Sequence, residues 1–303
     1  MITEKTPIGE IMKRAYENGI LIPAFNVAYL PMIKPIVDTL KRMHTFALVE
    51  VARPDVERFG AKSFQSVAEE YHKLADRNFS RLHLDHVPVI DEEGKRVDWK
   101  SLIKMGLDLE YDSVMIDGSR LPLEENIAVT REVVELAHRF GRPVEAELGA
   151  VFGHESGPLP PYEELFRSGK GFTDPQEAER FVKETKVDWL SIAIGNVHGA
   201  ISGVAKDKKK VSARLNIKHL KRISQKVGIP LVLHGGSGIK REYVLEAIKN
   251  GISKMNIGTS IRQAYERSLS EKPDDIERAQ ENVALEVERL IKEYEVEGSW
   301  ERL

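Results

Sequence analysis

The chain has 303 residues, of which 41% are hydrophobic and 31% charged, and its formal net charge of −3 offers no broad basic face for nucleic acid or an anionic membrane. With no cysteine, disulfides and thiolate metal sites are excluded, so a metal ion would have only His, Asp and Glu to hold it. No apolar signal segment opens the chain and no apolar run approaches about 20 residues, which predicts a soluble, cytoplasmic protein.

The elements alternate from the start. Thr6-Pro7 predicts an N-cap and first position for a helix in which Ile8, Ile11, Met12 and Ala15 share one face, ending at Asn18-Gly19. A buried-strand pattern over 21–27 follows, then a helix near 32–41, a strand over 45–52, a helix over 64–78 and a strand over 81–86. An insertion over 89–99 leads to a helix near 99–107, a strand over 113–117, a helix over 123–140 and a strand over 143–149. Asp174-Pro175-Gln176-Glu177 is a capping box whose helix leads to a strand over 189–195. A helix over 217–227 then precedes Leu231-Val232-Leu233-His234, a glycine-rich turn and a helix beginning at Ile239, whose N-terminus would add positive potential to the turn. A helix near 242–250 and a strand over 252–257 complete the alternation.

Strict strand–helix alternation predicts a parallel sheet, and eight units over this length predict a closed (β/α)8 TIM barrel spanning 1–303 as one domain. An open doubly wound sheet is the alternative, but no Gly-x-Gly-x-x-Gly follows the first strand. Residues 272–303 read as a charged helical tail, with Val283, Leu285, Val287, Leu290 and Ile291 as its apolar positions, packing on the barrel or on a second subunit in a homodimer or homotetramer.

Barrel chemistry collects at the carboxyl ends of the strands. There the chain places Asn26, Asp85-His86, Asp117, Glu145 and Glu147, Asn196 and His198, His234, and Asn256 to Thr259. His86, His198 and His234 come from three different strands, and three neutral imidazoles with an open fourth position are the ligand set of a catalytic Zn²⁺. Asp85 beside a ligand is a candidate acid or base. Glu147 could approach the metal or serve as a structural carboxylate, and Asp117 could hold a second metal or cap the following helix. His83 reads as a packed support, and Glu50 and Arg53 as charges on the rim. Gly199, Gly235, Gly236, Ser237, Asn256, Ile257, Gly258 and Thr259 follow strands six to eight, where barrels commonly bind phosphate. A metal beside a phosphate cradle suggests a phosphorylated substrate with a carbonyl to polarise.

Six motifs in order then carry a resemblance: Leu84-Asp85-His86, Met115-Ile116-Asp117-Gly118-Ser119, Glu145-Ala146-Glu147-Leu148-Gly149, Gly195-Asn196-Val197-His198-Gly199, His234-Gly235-Gly236-Ser237-Gly238 and Lys254-Met255-Asn256-Ile257-Gly258-Thr259. From about Pro23 to about Tyr265 the chain resembles the class II, zinc-dependent fructose- and tagatose-bisphosphate aldolases. The resemblance implies that the three histidines hold zinc, which Co²⁺ can replace, and that Asp85 acts at the C4 hydroxyl of the ketose. It also implies that Glu155 handles the C3 proton, that the glycine turns bind the triose phosphate, that Asp117 and Glu147 can hold a second metal, and that a monovalent cation sits near the phosphate. Aldolases of the other strategy need a Schiff-base lysine, for which Lys254, near the start of strand eight, is the one weak candidate.

The chain also departs from the family pattern. His154 precedes Glu155, Ser202 replaces a phosphate-binding lysine for which Lys206 or Lys208 could substitute, and Gly258 stands where fructose-specific members carry aspartate. Ala52, Arg53 and the insertion after the Asp85 strand leave the aldehyde half of the substrate open. Two further readings stand beside the aldolase: a divergent aldolase or epimerase on another sugar phosphate, and a sugar-phosphate binding protein without turnover.

Overall fold

The computed structural model describes residues 2–152, 161–198 and 213–303. Among them, parallel strands β1 (Ile22–Asn26), β2 (Ala47–Val51), β3 (Ser80–Pro88), β4 (Ser113–Asp117), β5 (Val144–Leu148), β6 (Trp189–Ile192), β7 (Leu231–Leu233) and β8 (Ile252–Ile257) close in sequence order, β8 pairing with β1. Around them lie helices α1 (Ile8–Asn18), α2 (Ile33–Arg42), α3 (Arg53–Glu57), α4 (Phe64–Leu74), α5 (Trp99–Asp108), α6 (Leu123–Arg139), α7 (Tyr162–Ser168), α8 (Pro175–Thr185), α9 (Ile217–Val227), α10 (Arg241–Ile248), α11 (Thr259–Glu271), α12 (Ile276–Glu293) and α13 (Ser299–Arg302). This is the (β/α)8 barrel.

The two faces of each strand divide the work. Outward residues such as Phe25, Val49, Leu84, Ile116, Ala146, Leu190 and Ile257 join the buried faces of the helices in one apolar layer. Inward residues at the amino ends, Ile22, Ala24, Leu48, Trp189 and Val232, form a second cluster with Ile8, Ile11, Met12 and Ala15 of α1, so α1 closes the bottom of the barrel. Above that apolar floor the interior turns polar, because the period of two places Asn26, Glu50, His83, Asp85, Glu145, Glu147, Lys254 and Asn256 on the same inner surface.

Several elements differ from the sequence expectation. Helix α1 starts one residue later, with Pro7 as its N-cap, and the Thr6 hydroxyl accepts the Thr3 N–H instead. Strand β6 ends at Ile192 rather than at Gly195, where φ of +112° turns the chain away, so Asn196 and His198 stand in the loop beyond. After β7 the helix does not begin at Ile239. Residues Gly236–Gly238 make a single 3₁₀ turn, and Ile239 is extended and bridges Ala213 before α10 starts at Arg241. The glycine turn therefore lacks the adjoining helix N-terminus that the sequence suggested. In α12, Ala279, Val283, Val287, Leu290 and Ile291 pack toward α11 and α2, whereas Leu285 is 63% exposed because it points to the opposite side of the helix.

Candidate active site

The site begins with a break in β3. Its pairing with β4 shifts register between Leu84 and Val87, and His86 within the shift has φ of +39°, a left-handed conformation costly for a non-glycine residue. The kink lets Asp85 and His86, neighbours in sequence, both serve the barrel mouth. His86 Nε2 lies 2.6 Å from His234 Nδ1, and its Nδ1 lies 3.5 Å from Asp117 at the end of β4. His198 is held in place by its backbone, whose N–H donates to Phe152 O at 2.7 Å. Its ring centroid lies 5.1 Å from that of His86 and 5.8 Å from that of His234. One nitrogen from each of the three rings falls within 4.8 Å of the others.

Carboxylates surround these rings. Against the lowering that burial imposes, the charges of Asp85, Asp117 and Glu147 push His86 up to about 10. Such a field favours positive charge at this spot, and His86, Asp117 and Glu147 also bring their ligand atoms within 4.8 Å. Three imidazoles converging among buried carboxylates suit a divalent cation. Asp117 accepts from Ser119 N at 2.9 Å, and although burial raises its pKa, His86 and Ser119 pull it down to about 2. Burial and the Asp117 charge push Glu147 well above the ordinary carboxylate range.

Asp85 is buried between two amides. Asn26 Nδ2 donates to Oδ2 and Asn256 Nδ2 to Oδ1, each at 2.9 Å. Burial alone would raise its pKa, but the positive charges around it, His86 first and then Lys254, bring it to about 2, so it stands ionised and ready to accept a proton. His83, as expected, is a support: it is fully buried, 2.7 Å from Ser113 Oγ, and burial keeps it neutral at about 3.

The glycine turns adjoin the rings. Gly235 has φ of +74°, and a Cβ on Gly236 would stand 2.7 Å from Met255 Cγ, so both positions require glycine. Ser237 Oγ accepts from Ser260 N at 3.3 Å and ties this turn to the start of α11. Gly258 caps α11 and packs on Asn26, whose Oδ1 would be 3.2 Å from an added Cβ. A cavity of about 420 Å³ is lined by Asp85, the three histidines and Asp117 together with Gly235, Ser237, Asn256, Gly258 and Thr259. Ile257 turns its side chain into the outer core, leaving only its backbone to face a ligand. Glu155 and Gly199, with His154, Ser202, Lys206 and Lys208, lie outside the described residues.

One expectation needs correction. Glu50 is not a rim charge but is fully buried inside the barrel, 3.2 Å from Lys254. Arg53 does reach the rim, where its guanidinium lies 3.4 Å from Asp91 and 3.5 Å from Glu92 on the insertion after β3. Lys254, the third residue of β8 and so near its start as expected, is fully buried inside the barrel. The Glu145, Glu50 and Asp85 charges outweigh burial and hold it protonated, which removes it as a Schiff-base nucleophile. Sequence reasoning missed Asp55, Phe59 and Arg262, which also line the cavity. Arg262 lies one turn into α11, a spacing from Thr259 that could have marked it.

The family model for class II fructose-bisphosphate aldolase matches residues 6–299, nearly the whole chain. The chain belongs to the class II fructose-bisphosphate aldolase family. That makes it a member of a lyase family, and the solved structures agree on the fold. The YdjI aldolase of Escherichia coli K12 is 27% identical, with TM-score 0.76 over 99% of both chains. A Coccidioides immitis protein provisionally named a fructose-1,6-bisphosphate aldolase is 26% identical, with TM-score 0.77 over 97% of this chain and 98% of its own. The Campylobacter jejuni fructose-bisphosphate aldolase, at 19% identity, shares the fold with TM-score 0.74 over 98% of this chain and 96% of its own. Among the described residues no helix is long and apolar enough to cross a membrane.

Proposed function

We propose that the protein is a zinc-dependent aldolase that reversibly cleaves a ketose 1,6-bisphosphate into dihydroxyacetone phosphate and glyceraldehyde 3-phosphate, with fructose 1,6-bisphosphate the first choice and tagatose 1,6-bisphosphate the second. The observation that carries this reading is one cavity holding three convergent imidazoles, an ionised Asp85 clamped between two amides, and a glycine–serine turn.

His86, His198 and His234 would hold the metal, with Co²⁺ able to replace Zn²⁺ and Asp117 and Glu147 placed to hold a second ion. When bound, zinc supplies a Lewis acid that takes up the negative charge reaching the ketose C2 oxygen as the C3–C4 bond breaks. Asp85 removes the C4 hydroxyl proton in that step and returns it in condensation, held at the right angle by Asn26 and Asn256. Glu155 is assigned the proton that C3 then takes up. The triose phosphate rests on Gly199, Gly235, Gly236, Ser237 and the run Asn256–Thr259, with a monovalent cation beside it, and the working unit is a cytoplasmic homodimer or homotetramer.

The cavity wall carries both signs of charge, with Asp91 and Glu92 paired to Arg53 and with Arg120 and Arg262 also in the lining, so ketose 1-phosphates belong in the panel beside the bisphosphates. The test is a substrate panel at saturating Zn²⁺, read by dihydroxyacetone phosphate release. Release from fructose 1,6-bisphosphate supports the first choice, and release from a monophosphate alone moves the assignment to that class. No release from any ketose phosphate overturns the aldolase reading.

A further inference from the structure

Beneath the candidate metal ligands, the barrel interior holds a cation that the proposed reaction does not use. Lys254 is fully buried, and its ammonium has three protons to donate and nothing with which to accept. Its Nζ lies 2.8 Å from Glu145 Oε2, 2.7 Å from Asn256 Oδ1 and 3.2 Å from Glu50 Oε2. Two of these contacts lead directly to the two working parts of the site.

The first leads to a histidine. Glu145 Oε2 also accepts from Trp189 Nε1 at 2.8 Å, which engages that oxygen twice and turns Oε1 to His234 Nε2 at 2.8 Å. An ionised carboxylate can only accept, so His234 carries its proton on Nε2 and presents a bare Nδ1 toward His86. The second leads to the acid/base. Because the ammonium donates to Asn256 Oδ1, the amide has one permitted orientation and must offer Nδ2 to Asp85 Oδ1. An apolar residue at 254 has no proton to donate and could satisfy neither oxygen.

We infer that Lys254 is a positioning residue that sets the tautomer of His234 through Glu145 and the orientation of Asp85 through Asn256. One buried charge thereby keeps the metal ligand and the proton carrier in register. This rests on reading the three histidines as a zinc site, and the experiment separates the two ideas.

The experiment compares wild type with Lys254→Met. Zinc affinity is measured by competition with a fluorescent chelator, and kcat and KM at saturating Zn²⁺ on whichever ketose phosphate is turned over. Loss of a residue supporting a metal ligand costs 10–100-fold in affinity, so the zinc Kd should rise by about that factor. With zinc restored, kcat should fall at least about tenfold while KM stays within about twofold, because Asp85 is misaligned. A packing role would lower Tm and leave both values at wild type, and that result overturns the inference. If Lys254→Met does not fold, the Glu50→Gln/Lys254→Met pair, with one fewer unmatched carboxylate, carries the same two measurements. Failure of both to fold makes Lys254 a folding element and overturns the assignment as well. A wild-type protein that binds no zinc refutes the metal reading instead.

Discussion

Replacing Asp85 by alanine tests the proton carrier apart from the metal. Asp85 is not among the three imidazoles whose nitrogens converge, so the variant should retain zinc at the wild-type stoichiometry. What it loses is a buried, ionised carboxylate set between Asn26 and Asn256. Removing a positioned acid/base lowers turnover by roughly 10²–10⁴, which is about 3–5 kcal/mol in the barrier. The buried Asn256 amide left without its acceptor costs stability as well, about 1–3 kcal/mol. A fall of several degrees in Tm should therefore accompany a folded protein. The assay is release of dihydroxyacetone phosphate at saturating Zn²⁺, with zinc content by atomic absorption on the same sample. Wild-type turnover in Asp85→Ala, or loss of activity only in proportion to lost zinc, would refute the role.

Two further outcomes follow from the cavity wall. Gly258 has φ of −116°, so alanine meets no backbone penalty there, but its Cβ would sit 3.2 Å from Asn26 Oδ1 and push that amide off Asp85. Gly258→Ala should lower kcat by about tenfold with Tm nearly unchanged, and unchanged kcat would detach Asn26 from the reaction. Burial raises Asp55 from its ordinary 3.8 to about 7 despite the hydrogen bond it accepts from Ala52 N. The folded state therefore holds a proton that the unfolded chain releases above pH 4, and the contribution of Asp55 to stability falls as pH rises from about 4 to 7, by roughly 4 kcal/mol at most. In Asp55→Asn that fall should disappear, so the stability of the variant relative to wild type should grow across this window in denaturant titrations. A constant difference between the two proteins would show that Asp55 ionises normally.

The sequence made the architecture and the upper rim of the barrel readable for one physical reason: uniformly apolar strands followed by polar residues mark where a parallel strand leaves the core. His86, His234, Asp85 and Asn256 all stand at such junctions, and the structure gathers them in one place. The layer beneath was not readable. Glu50, Glu145 and Lys254 alternate with apolar residues just as rim charges would, and only closure of the barrel shows that the Lys254 ammonium lies between the two carboxyl groups inside it. Leu285 misled for the opposite reason, since an apolar residue on a helix implies burial only when it lies on the packed face. The turn after β7 misled because a glycine run before a helical pattern does not say how many residues separate them. Ile239 and Lys240 are extended there, and the helix starts only at Arg241.

The central claim is that three imidazoles hold a metal that this chain needs for cleavage of a ketose phosphate. Titrating the metal-stripped protein with Zn²⁺ while following dihydroxyacetone phosphate from fructose 1,6-bisphosphate and the other panel substrates tests it most directly. Activity should start near zero, rise with added zinc and level off at about one ion per chain, with Co²⁺ able to substitute. Full turnover by the metal-stripped protein, or no turnover of any ketose phosphate once zinc is bound, would contradict it.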